Sequence, residues 1–406
     1  MSKWFVRKTK TRSPSRRSFF STSGDSQLFL AATFLTVVII VLGPTCARAD
    51  VDDVKLVGDD QADRTASGLW PFGRPGLVKR DRDYVAPVSP AAPQAVLGSG
   101  ILGPTGRSWT QQTTSGVRAW NGIACDATCT KLVAVATGES GELVYTSTDS
   151  GATWTGQTGS LLAGYMGVAS SSDGTKLVAV ALSLYIQTSD DSGVTWTSQP
   201  GSAAGTWWWV ACDLTCTNVA AVETFGYIYT STDSGVSWTG RAEPREWLRI
   251  ASSSDGTKLA ATDFSRIWTS DDSGVTWIAR DSDRWWIGIA SSVDGTRLIA
   301  AANSDFVYLS IDSGVTWTAQ PALGARNWQD VACDSTCTTM MAAEYGGNIC
   351  VSDDSGNTWV AQSQAGSREW NAIAMSEDGT KLVAVEYGGT VWTSILKVDA
   401  AQASRR

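Results

Sequence analysis

Five arginines recur two residues ahead of a tryptophan: Arg118 and Trp120, Arg245 and Trp247, Arg284 and Trp286, Arg326 and Trp328, Arg368 and Trp370. A guanidinium is a planar fork of N–H donors that matches a carboxylate, and an aromatic face beside it can take a cation or a flat ring. Gathered on one surface, such pairs would grip acidic or planar aromatic groups of a partner. Two uses compete with that one. The tryptophans can be wedges packed in a core, and the arginines can be neutralised by the protein's own Glu223, Asp263, Glu344 and Glu386. A second chemistry needs only two carboxylates. Glu344 and Glu386 would be the pair for glycoside cleavage, where one protonates the leaving group and the other attacks or activates water.

Histidine is absent from all 406 residues. That removes Ser-His and Cys-His nucleophiles, histidine metal sites and histidine pH switching. The net charge is −8. Eight of the 32 basic residues fall in 1–49 against Asp25 alone, leaving 24 basic and 39 acidic residues, or −15, beyond it. A domain that acidic is a poor ligand for nucleic acid or anionic lipid. No residue pattern asks for a cofactor or a metal.

The arginine pairs have to be positioned by a repeat. From Trp109 onward a pattern returns every 39 to 45 residues, marked by Trp109, Trp154, Trp196, Trp238, Trp277, Trp317 and Trp359. Each of the last six closes a box such as SDDSGVTW (189–196 and 270–277). A unit holds four short β segments separated by Gly/Asp turns, which is the description of a propeller blade. In the last unit they read WNAIAMS, KLVAV and TVWTS, with no box to follow. The chain instead opens its repeats with a lone fourth segment at 108–111, which would complete the last blade and close the ring. The expected fold is therefore all-β: a seven-bladed β-propeller of four-stranded antiparallel blades over 107–396. The first strand of each blade is innermost, so the Arg/Trp pairs at its start are expected to ring the mouth of the central channel.

In the box, Gly at the fifth position permits a left-handed turn. The aspartates Asp149, Asp191, Asp233, Asp272, Asp312 and Asp354 can accept turn N–H groups. The alternative, a carboxylate cluster for catalysis or calcium, would need boxes of separate blades to meet.

The eight cysteines sort by position. Cys125/Cys129, Cys212/Cys216 and Cys333/Cys337 lie in A-C-D-x-T-C-T turns where other units read S-S-D-G-T-K or a close variant. Three local disulfides are expected, with reduced thiols as the alternative. Cys350 is expected buried and free, and Cys46 lies in the leader.

Residues 1–49 read as a targeting segment. A basic start precedes a sixteen-residue apolar stretch at 28–43 and then Ala47-Arg48-Ala49, a small-residue cleavage pattern. The stretch is short for a membrane span of about 20 residues, so a cleaved signal is favoured over an anchor. Arg16-Arg17 suits a twin-arginine signal, and the Ser/Arg-rich leader suits an organelle transit peptide. Together they fit delivery to a thylakoid lumen, with secretion or periplasmic export as the alternative. Residues 50–106 are a Pro/Ala/Gly-rich disordered linker, and 397–406 a tail.

The box S-x-D-x-G-x-T-W resembles the Asp-box of sialidases, xyloglucan-active hydrolases, sortilin-type receptors and the photosystem II stability/assembly factor family. The resemblance covers about 107–396. Against a sialidase, the chain lacks an Arg-Ile-Pro motif and has one unit too many. An arginine-rich propeller face is what the resemblance to the assembly-factor family implies, with a photosystem II subunit or precursor as protein partner. The expected function is a non-enzymatic binding or assembly scaffold. The alternatives are an Asp-box glycoside hydrolase and a secreted interaction module. Membrane contact is expected only through an uncleaved N-terminal segment.

Overall fold

The computed structural model describes residues 107–138, 143–159, 164–281 and 283–396. The expected targeting segment, linker and tail lie outside the described residues. Apart from three 3-10 turns, the regular structure is antiparallel β, and no α-helix occurs among the described residues.

The unit is laid out plainly at the start of the repeats. Arg118–Cys125, Leu132–Thr137, Val144–Ser147 and Thr155–Gly156 pair in that order, each antiparallel to the last. Tyr165–Ser170, Leu177–Leu184, Ile186–Ser189 and Thr197–Gln199 repeat the plan. Second strands such as Leu132–Thr137 bury Val133, Ala134 and Val135 alike, because both faces of each sheet are covered. Alternating alanine with branched residues gives a strand thin enough to sit between two neighbours. Mid-chain the expected short strands fuse. Val219–Ser231 serves as second and third strand of its unit, and Thr239–Ser252 runs from one unit's fourth strand into the next unit's first.

First strands touch one another in a circle. Arg118–Cys125 meets Tyr165–Ser170, and the contacts continue through Gly205–Cys212, Thr239–Ser252, Trp286–Ser291, Arg326–Cys333 and Arg368–Met375 back to Arg118–Cys125. They are therefore the innermost strands. Beneath them, the turns between first and second strands form a belt of backbone hydrogen bonds. Ala127 N–H donates to Ser172 O, Ser172 to Leu214, Leu214 to Ser254, Ser254 to Val293, Val293 to Ser335, Ser335 to Glu377, and Glu377 to Ala127, all at 2.7–3.0 Å. The belt returns to its first residue, so it has no end.

Arg107–Gln112 pairs with Val391–Leu396, with Trp109 opposite Ser394. Trp109 packs on Trp370 with ring centroids 6.5 Å apart, the place a box tryptophan takes in other units, as Trp154 does on Trp120 at 6.4 Å. Arg107 is buried and donates to Asp353 at 2.7 Å and to the Gly379 carbonyl at 3.0 Å. The expected closing strand is in place.

Each box is a self-contained turn. In residues 189–196, Ser189 Oγ–H donates to Asp191 Oδ1 at 2.8 Å and accepts from Gly193 N–H at 2.9 Å. Thr195 donates through its N–H and its hydroxyl to the two Asp191 oxygens, and Trp196 Nε1–H to the Gly193 carbonyl. Gly193 stands at φ +89°, and a Cβ there would lie 2.8 Å from Thr146 of the preceding unit. The box thus also sets the spacing between units. The hydroxyl of the seventh residue, then backbone N–H donors, hold the charged form of Asp233, Asp272 and Asp312, whose pKa falls to about 2. Cations from strand-two starts clasp neighbouring boxes: Lys176 Nζ reaches Ser234 Oγ at 2.9 Å, and Lys381 reaches Ser150 at 2.9 Å across the closure.

The three cysteine pairs are bridged, Cys125–Cys129, Cys212–Cys216 and Cys333–Cys337. Cys129 stands at φ 43°, in the turn position where the next unit has Gly174 at φ +66°. In a Cys125→Ser background, Cys129→Gly should therefore be tolerated better than Cys129→Ser, by about 1–2 kcal/mol, since a left-handed φ strains any residue with a Cβ. Urea unfolding of the two double variants measures that gap. Cys350 is free and buried, and burial pushes its thiol up to about 11.

Candidate functional site

An aromatic column runs through most units. Trp120 meets Tyr145 edge-on at 5.3 Å, Trp247 meets Trp268 at 5.9 Å, Trp286 meets Tyr308 at 5.1 Å and Trp370 meets Trp392 at 6.1 Å. A buried ring this large fixes the sheets around it. The guanidinium of the same unit caps the column. Arg118 lies 4.1 Å from the Tyr145 ring centre, Arg245 4.2 Å from Trp268, Arg284 4.6 Å from Tyr308 and Arg368 4.2 Å from Trp392. Arg326 lies 5.6 Å from Trp328, its third strand offering Cys350 instead of a ring.

This corrects two expectations. The tryptophans Trp120, Trp247, Trp286, Trp328 and Trp370 are all 0% exposed, as is Tyr165, with Trp207 at 1%. They are wedges and offer a partner no surface. The arginines also do not ring the mouth of the channel. Their guanidinium groups sit over third-strand rings, farther from the centre than the first strands, because the aromatic face there is the nearest seat for a cation.

Carboxylates hold four of the five. Arg326 pairs with Glu344 at 3.1 Å and Arg368 with Glu386 at 3.4 Å. Arg245 has Glu243 at 3.8 Å and Asp263 at 4.0 Å, and Arg284 has Asp281 and Asp305, both at 3.1 Å. Glu243, Asp281 and Asp305 were not foreseen. Glu223, in a unit without the arginine, accepts a hydrogen bond from Thr206 N–H. Glu344 and Glu386, the carboxylates considered for glycoside cleavage, are each tied to the arginine of their own unit. Arg118 has no carboxylate within 4.0 Å among the described residues. All five arginines stay half-buried, so outward N–H groups are held in fixed positions on one face. The box aspartates lie on the opposite face with the belt turns, each closed within its own box. Among the described residues, no three His, Cys, Asp or Glu side chains are grouped to hold a metal ion.

Sequence reasoning missed what lies on the axis. Gln329 Nε2–H donates to Asn371, and Asn371 to the Trp120 carbonyl and to Asn121. Asn121 in turn donates to the Tyr165 carbonyl. Beside this amide chain, Arg249 stacks on Trp209 at 3.7 Å and approaches Asp330 at 4.0 Å. The only trace in the sequence is a break in pattern: WWW at 207–209 and charged residues inside apolar strands.

No family model and no curated protein matches the sequence. Solved structures do. One described as YCF48 bound to D1 peptide superposes with a TM-score of 0.58 at 15% identity, covering 73% of this chain and 99% of that one. YCF48 from Cyanidioschyzon merolae gives 0.57 at 16%, covering 70% and 98%. An ancestral GH74 enzyme gives 0.55 at 14%, covering 70% of this chain but only 45% of its own length. At such identities the likeness is one of fold. The chain is a β-propeller.

Proposed function

We propose that the chain is a seven-bladed Asp-box propeller that works as a non-enzymatic assembly scaffold of the photosystem II assembly-factor kind. Its partner would be a photosystem II subunit or precursor, gripped through the arginine face. The blade count is supported by the closed belt, which takes one turn from each first-strand hairpin. The binding role is carried by one observation above the others: five guanidinium groups on one face, each seated on an aromatic ring or column and four braced by a carboxylate. A guanidinium has five N–H donors, and one carboxylate engages only part of them. The brace removes rotamer freedom beforehand, so a partner's acidic group meets a donor already in position. That a solved propeller of similar fold is described as bound to a D1 peptide supports the choice of partner class. The exported location, thylakoid lumen or secreted/periplasmic, belongs to the same proposal, and imaging a tagged chain tests it.

Titrating a D1 peptide into the full chain, and into the variant Arg245→Glu, Arg326→Glu, Arg368→Glu, tests the face. Affinity should fall at least tenfold in the variant, about 1.4 kcal/mol or more. Equal affinity would remove this surface from the account.

A further inference from the structure

Every first strand carries an irregularity in register just after its buried aromatic, between Trp120 and Gly122, Tyr165 and Gly167, Trp207 and Trp209, Trp247 and Arg249, Trp286 and Gly288, Trp328 and Asp330, Trp370 and Ala372. Such a bulge re-aims the residue that follows. In four units that residue is glycine or alanine. In the other three it is Trp209, Arg249 and Asp330.

These three meet. The indole of Trp209 lies over the Gly167 backbone, where a Cβ would come within 2.9 Å of it. Arg249 stacks on that indole at 3.7 Å. Asp330 approaches Arg249 although a whole first strand, Trp286–Ser291, stands between theirs in the circle. They meet because that strand contributes only Gly288, whose added Cβ would stand 3.2 Å from the Asp330 backbone. Side chains from strands that are not neighbours can touch only inside the ring of first strands.

The arrangement is incomplete. Arg249 is 6% exposed, and its buried Nε–H has no acceptor. The nearest carboxylate oxygen, Asp330 Oδ1, is 4.0 Å from that nitrogen, beyond hydrogen-bond reach, while Oδ2 accepts from Ile373 N–H at 3.0 Å. Among the described residues, the Arg249 side chain donates no hydrogen bond. A buried ion pair compensates for lost hydration only when its hydrogen bonds are made. Burial raises the Asp330 carboxyl to about 6 despite Arg249, and at neutral pH the group still carries its negative charge, though 4.0 Å from the guanidinium. A guanidinium held on an indole, with a buried and unpaired Nε–H, has the chemistry of an anion seat.

We infer that Arg249 anchors a binding site for a small carboxylate on the axis of the propeller, backed by Trp209 and opposed by Asp330. The site is independent of the arginine face and of the partner proposed for it. Bidentate acceptance from the guanidinium is what selects a carboxylate, and the indole beneath favours a flat anion. Asp330 then limits affinity, so that removing its charge should tighten binding.

The test uses the full chain and three probes: acetate, acetyl-glycylglycine, and the C-terminal amide of the latter, each followed by calorimetric titration and by the shift in melting temperature. At least one carboxylate probe should bind and the amide should not. Binding of acetate alone assigns the site to a free small acid, and binding of the peptide acid assigns it to a chain end. Arg249→Gln should weaken binding at least tenfold, and Asp330→Asn should strengthen it at least threefold. If Arg249→Gln does not fold, the gain in Asp330→Asn decides, since a merely structural pair gives no such gain. The inference is overturned if neither acid binds, if the amide binds as well as the acid, if folded Arg249→Gln binds like the parent, or if Asp330→Asn shows equal or weaker affinity.

Discussion

Deleting Arg107–Gln112 is expected to abolish cooperative folding, not to lower stability by one small step. The strand supplies the outer partner of Val391–Leu396 over six paired positions. Without it, the last sheet has an open edge that can pair with another chain. The strand also supplies Trp109, buried against Trp370, and Arg107, buried against Asp353. Trp109→Ala alone should remove about 3–5 kcal/mol, the usual loss for a large buried ring. Domains have about 5–15 kcal/mol in total, so the whole strand exceeds what is spare. Thermal unfolding and sedimentation of the shortened chain would report a lost transition and aggregation. A sharp transition close to the parent's would show that the strand is dispensable.

Trp328→Ala should cost about 3–5 kcal/mol, while Arg326→Ala, two residues away, should cost less than about 1 kcal/mol. Trp328 is 0% exposed, within a cluster that includes Val331, Met340 and Cys350. Arg326 keeps 39% of its side chain in solvent and, among the described residues, makes one ion pair, with Glu344. Solvent screens that pair, and its loss leaves Glu344 able to hydrate. The two residues are neighbours in sequence and belong to different parts of the account, one to folding and the other to binding. Urea denaturation of both variants separates them. Similar losses would mean that the arginine is a packing element too.

The same contrast shows what could be read in the residues before any coordinates. A box repeated six times betrays its turn, because Ser, Asp, Gly, Thr and Trp each have one job there and the spacing repeats with them. The closing strand could be read as well, since Trp109 stands one period before Trp154 and the last unit lacks a box. The cysteine turns were legible because Cys129, Cys216 and Cys337 replace glycines that survive in sibling units. The arginine seats were misplaced. Their position is set by Tyr145, Trp268, Tyr308 and Trp392, rings 23 to 27 residues downstream in the sequence and adjacent only once three strands are paired. The axial cluster escaped for the opposite reason. Trp209, Arg249 and Asp330 each occur once, in different units, and departures from a repeat have no period to announce them.

The last sheet gains its fourth strand, and the ring its sealed outer edge, only if Arg107–Gln112 belongs to that sheet. Native-state hydrogen exchange of Arg107–Gln112 tests this most directly. Its paired amides should exchange as slowly as those of Val391–Leu396, through global unfolding alone. Exchange at the rate of an unstructured tail, with Val391–Leu396 still protected, would contradict the closed ring.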